Sequence, residues 1–67
     1  MKYSIEELEE ASEITVEEAI SEYVESCLRT GLTDESKIAE SFCEENEIRE
    51  LDFPQIITLV EKELTQY

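Results

Sequence analysis

The chain has 67 residues, room for one domain (1–67) with a small core. It carries 19 Asp and Glu against 5 Lys and Arg, and its formal net charge is −14. Nucleic-acid backbones are bound by Lys and Arg, so this balance argues against direct contact with DNA or RNA; it also repels anionic membrane surfaces and steers the chain toward basic protein faces. Apolar residues make up 40% and recur periodically, which argues against disorder.

The first helix signal is Ser4 with Glu7 three residues on, a capping box preceded by Tyr3, which can staple onto Leu8. The helix is expected over about 5–11, with Ile5, Leu8 and Ala11 as its apolar face. It is too short to stand alone and must dock or fray. The second starts at Thr15 with Glu18, preceded by Ile14. Its apolar positions are Val16, Ala19, Ile20, Tyr23, Val24, Cys27 and Leu28, an unbroken helical spacing. Arg29 suits the dipole of the last turn, and Gly31 supplies a left-handed stop.

The third helix is expected to begin at Thr33, with Asp34 and Glu35 in its first turn and Ile38, Ala39, Phe42 and Cys43 as its buried stripe. Asn46 is the expected stop, with Ile48 folding back beyond it. The fourth is expected to begin at Asp52, paired with Gln55 and preceded by Leu51, with Pro54 in the first turn where its missing amide costs nothing. Phe53, Ile56, Ile57, Leu59, Val60 and Leu64 make a face wider than one small core needs, so Ile57 or Leu59 should stay partly exposed. There is no hairpin dipeptide and no membrane-length apolar run. The fold expected is all-α: a small bundle of three main helices, about 16–30, 34–46 and 53–66, with a short leading helix.

Chemistry-bearing patterns are missing. There is no His, no base partner is visible for Cys27 or Cys43, and no glycine-rich phosphate loop occurs. The carboxylates fall on exposed helix faces, whereas a general-acid pair needs burial to separate its pKa values. A non-enzyme is expected, with no cofactor and no metal. Lys2 leads into Glu-rich sequence rather than an apolar stretch, and the cysteines sit within helices. A cytoplasmic protein with two reduced core thiols is therefore expected.

Three acidic groups stand out: Glu6 to Glu13 at the N-terminus, Glu17 to Glu25 along the second helix, and Glu44, Glu45, Glu47 and Glu50 around the turn into the fourth. Each reads by itself as a solvated face. The last two helices imitate a helix-turn-helix, but the recognition helix would carry Glu61 and Glu63 against Lys62, which phosphate would repel.

The segment Ser41-Phe-Cys-Glu-Glu-Asn-Glu-Ile48, followed by Phe53, Ile56 and Leu59-Val-Glu-Lys-Glu-Leu64, resembles the late-transcription coactivators of T-even-type phages and their cyanophage relatives. The preceding stretch, Glu17 to Leu32, stands where that family has another acidic helix ending near a Gly, so the likeness covers roughly residues 15–65. The resemblance implies a small acidic helical protein that grips the flap domain of host RNA polymerase. By position, Phe42, Ile48, Phe53 and Ile56 match the family's apolar positions. The family's hydrophobic-acidic tail, which docks on the sliding clamp, is not matched by the ending Leu64-Thr-Gln-Tyr67.

The leading reading is a transcription regulator that binds bacterial RNA polymerase in the host cytoplasm. Its partner-binding residues would be Phe42, Ile48, Leu51, Phe53, Ile56 and Ile57, with Glu44 and Glu45 on the rim. The alternative is a nucleic-acid mimic that inhibits a DNA- or RNA-binding protein or nuclease. A third reading is a homodimer through Phe53, Ile57 and Leu64.

Overall fold

A computed structural model describes residues 1–66. The fold is all-α, as expected, and is built from four α-helices: α1 (Ile5–Ser12), α2 (Val16–Arg29), α3 (Glu35–Glu45) and α4 (Phe53–Leu64). A 3-10 turn, Glu50–Asp52, leads directly into α4. Among the described residues no helix is long and apolar enough to cross a membrane.

Helix α4 is the centre of the packing and lies chiefly against α3, then α2; α1 closes the bundle against α2. The core is continuous from Ile5 of α1 through Val16, Ile20 and Val24 of α2 and Ile38, Ala39 and Phe42 of α3 to Ile56 and Val60 of α4. The leading helix is therefore a docked part of the bundle. Both thiols, Cys27 and Cys43, are free and buried. No polar or charged residue is buried among those described, so the acidic side chains all meet solvent to some degree.

Helix ends follow the sequence signals closely at α1 and α2. Ser4 and Glu7 form the reciprocal capping box, and the Thr15 hydroxyl accepts the Glu18 N–H. Glu9 of α1 adds a second cap, its carboxylate accepting the Val16 N–H at 2.7 Å. After α2 the chain turns at Gly31, φ +89°, where Gly31 N–H donates to the Leu28 carbonyl and Leu32 N–H to that of Cys27. This pair of bonds is a Schellman stop.

The other two starts differ from expectation. Helix α3 is capped by Asp34 rather than Thr33: the Asp34 carboxylate accepts the Lys37 N–H at 3.1 Å. Asp is the better cap, and its charge suits the helix N-terminus. Asp52 does not cap α4. Its backbone is already helical, and the preceding 3-10 turn satisfies the Phe53 N–H through the Glu50 carbonyl. At the end of α3 the left-handed residue is Glu47, φ +54°, and not Asn46. Glu47 N–H reaches the Glu44 carbonyl and Ile48 N–H that of Cys43, a second Schellman stop that drives Ile48 into the core.

Ile48 also makes one parallel β-bridge with Tyr3. Tyr3 N–H donates to the Glu47 carbonyl at 2.6 Å and Arg49 N–H to the Tyr3 carbonyl at 2.8 Å. The N-terminal segment is thus tied to the α3–α4 connection, a pairing that no alternating strand pattern announced.

Candidate interaction surface

The connection between α3 and α4 is held from three sides. Ile48 is pulled inward by the Schellman turn, Tyr3 pairs with it, and Arg49 Nε donates to the Asp52 carboxylate at 2.9 Å. The same carboxylate accepts the Ile5 N–H at 3.1 Å, which fixes the turn to the start of α1. Anchored in this way, the 3-10 turn presents Leu51 outward, 80% exposed. Phe53 follows half-buried at the first position of α4, with Ile57 one turn on along the same helix face.

A shallow depression of about 360 Å³ lies beside this turn, lined among others by Lys2, Glu40, Glu44, Glu50 and Phe53. Of the expected partner-binding residues, the structure places Leu51, Phe53, Ile57, Glu44 and Glu45 where a partner reaches them at least in part. Phe42, Ile48 and Ile56, exposed by only 2%, 3% and 0%, are core residues and do not form a contact surface. Their apolar character is already used in closing α3 and α4 against each other and in seating the turn. Phe53, Ile57 and Leu64, the residues of the homodimer reading, are half-buried against the core.

Glu45 belongs to a different face. Its carboxylate accepts the Tyr23 hydroxyl proton, while the Tyr23 ring packs edge-on against Phe42 at 5.4 Å between centroids. Burial first, and then this hydrogen bond to an anion, push the Tyr23 hydroxyl up to about 12. Around Tyr23 lies an apolar strip that the sequence reading did not single out as a surface. It runs through two adjoining depressions that share Asn46: one of about 560 Å³ beside Tyr3, Leu8 and Ala11, the other of about 320 Å³ beside Ile14, Ala19 and Tyr23. The signals were present, since Tyr3 and Leu8 have staple spacing and Ile14 precedes a cap. Both serve equally as helix-start features.

Burial raises both thiols above their ordinary range, Cys27 further so through Glu45, while Lys2 acts in the opposite sense on Cys43. Raised thiols are poor nucleophiles. Among the described residues no group of three or more Cys, Asp or Glu side chains converges as a metal site requires. A further depression of about 560 Å³, at the N-termini of α1 and α2, is lined among others by Glu6, Glu9, Glu17, Asp52 and Arg49. The amide donors of Ile5 and Val16 in its lining are already taken by Asp52 and Glu9.

No protein-family model, curated protein or solved structure matches the chain.

Proposed function

We propose that this protein is a non-catalytic regulator that binds bacterial RNA polymerase, at the flap region implied by its resemblance to the phage coactivators, and does so in the host cytoplasm. The observation that carries the reading is the α3–α4 turn: Leu51 is held outward on a braced 3-10 turn, next to a depression lined by Phe53 and by the charged residues Glu40, Glu44, Glu50, Lys2 and Arg49. A protruding apolar anchor on a rigid element costs little ordering entropy on binding, and the net charge of −14 guides approach to a basic surface. Leu51, Phe53 and Ile57 supply the contact, with Glu44 on its rim.

The test is co-purification of the full chain with bacterial RNA polymerase at low salt, with flap-deleted polymerase alongside. Retention on the intact enzyme and loss on the deleted one supports the reading; no retention on either sinks it.

The nucleic-acid mimic remains the second reading because no acidic residue is buried and two of the five cations are engaged by the chain's own carboxylates, Arg29 with Glu25 and Arg49 with Asp52. A mimic loses affinity steeply with salt, since a basic groove is its whole target, whereas an apolar anchor keeps most of it.

A further inference from the structure

The apolar strip around Asn46 lies on a different face from Leu51. In extended backbone, successive side chains point to opposite sides. At the Tyr3–Ile48 bridge this sends Lys2 toward the depression beside Phe53 and Tyr3 toward the one beside Leu8. The bridge is the watershed between two surfaces.

On the Tyr3 side, α1 and α2 meet at the left-handed turn of Glu13, and both leave apolar side chains partly exposed along the junction. Leu8 and Ala11 come from α1, Ile14 from the connection, and Ala19 and Tyr23 from α2. Tyr3 and Ile14 are each 38% exposed. The small residues Ala11 and Ala19 leave hollows, and the larger Leu8 and Tyr23 wall them. Glu7, Glu10 and Glu22 line the same depressions, and no Lys or Arg lines either.

We propose that this groove is a docking site for a basic amphipathic helix of a partner protein, one with apolar side chains at helical spacing and Lys or Arg on its flanks. Apolar knobs fill the hollows at Ala11 and Ala19, and the flanking cations meet Glu7, Glu10 and Glu22. Charge selects this occupant over a second copy of the chain, which would bring the same carboxylates to the same rim at −14 each. The proposal does not depend on the polymerase reading, because it uses the opposite side of the Tyr3–Ile48 bridge and a different set of side chains.

The experiment uses the full chain and a synthetic helical peptide of about 18 residues, five turns, with Leu along one face and Lys on the flanks. A peptide of the same composition, scrambled so that Leu is spread around the helix, is the control. Binding is followed through the backbone amide NMR spectrum. The patterned peptide should shift the amides of Leu8, Ala11, Ile14, Ala19 and Tyr23, and the scrambled one should bind roughly tenfold more weakly. Ala11→Arg, at an exposed helical position, should weaken the patterned peptide by a similar factor, while Leu51→Asp leaves it unchanged. Equal binding of both peptides, shifts centred on Leu51 and Phe53, undiminished binding by Ala11→Arg, or no binding would each overturn the assignment. Self-association of the free chain that shifts these same groove amides would overturn it as well.

Discussion

The Asp52 carboxylate accepts the backbone N–H of Ile5 at 3.1 Å, joining residues 47 positions apart. An acidic residue placed by sequence as the cap of its own helix instead caps another one. It can do so because the 3-10 turn at Glu50–Asp52 already satisfies the start of α4 and leaves the side chain free to turn toward α1. Helix α1 has only eight residues and gains its order from tertiary contacts such as this one. Asp52→Ala removes the cap and frees Arg49, and the melting temperature should fall by about 5 °C, as for the loss of a typical helix cap in a domain of this size. Amide exchange should quicken first in α1, leaving α3 and α4 protected. Uniform loss of protection across all four helices would show that the contact does not act locally.

The same carboxylate gives a defined pH response. The hydrogen bond from Arg49 holds Asp52 below the usual carboxylate range, the bond from Ile5 acts in the same direction, and desolvation partly opposes them. A carboxyl with a lower pKa folded than unfolded contributes stability that is complete above the unfolded value, about 4, and disappears as pH falls through the folded one. Asp52→Asn keeps an acceptor for Ile5 but loses the charge. The wild-type advantage over this variant should therefore be full at pH 6 and shrink progressively below about pH 4. Paired thermal melts across this range measure it, and an advantage constant down to pH 2 would rule out titration of Asp52 as its source.

Two helix stops of the same design use different residues, which makes a matched comparison. Gly31 at φ +89° and Glu47 at φ +54° both close Schellman turns. Glu47 holds a conformation that costs an L-residue roughly 1 kcal/mol, partly offset because Gly loses more chain entropy on folding. Glu47→Gly should stabilise the protein by about 0.5 kcal/mol. Gly31→Ala should destabilise it by about 1 kcal/mol, although nothing lies within 4 Å of the added Cβ, because the strain is in the backbone. Urea unfolding of both variants checks the opposite signs.

Local signals were the legible part of this fold. Ser4 with Glu7, Thr15 and Gly31 bound their helices through contacts only a few residues away, and the apolar stripe of α2 marks its core face directly. What could not be read were partners set by tertiary geometry. Tyr3 has a staple's spacing, yet its backbone pairs with residues 47–49; Glu9 reads as one more solvated acid, yet it caps α2. Phe42, Ile48 and Ile56 had the hydrophobicity of an interface, but periodicity cannot say which side of an apolar face is spent on the core. Leu51 had the place of a staple residue and became the projecting one. Of the six apolar residues expected at the α3–α4 turn, Phe42, Ile48 and Ile56 lie in the core, and Leu51, Phe53 and Ile57 stay at least partly exposed.

Leu51 and Phe42 separate binding from folding most sharply. Leu51 is 80% exposed, so Leu51→Asp removes almost no core burial and should change stability by less than about 0.5 kcal/mol. It places a carboxylate where the partner would meet an apolar side chain, and a desolvated charge there should weaken polymerase capture by tenfold or more, on the order of the cost of losing a central anchor. Phe42 is 2% exposed and packs edge-on against Tyr23. Phe42→Ala should cost about 3–5 kcal/mol, a large part of the total stability of so short a chain, and any loss of capture would follow from unfolding. Circular dichroism and polymerase capture on the two variants therefore diverge: folded but released for Leu51→Asp, unfolded for Phe42→Ala. Undiminished capture by a folded Leu51→Asp protein would remove the α3–α4 turn as the contact and leave the Tyr3–Tyr23 groove as the surface to test.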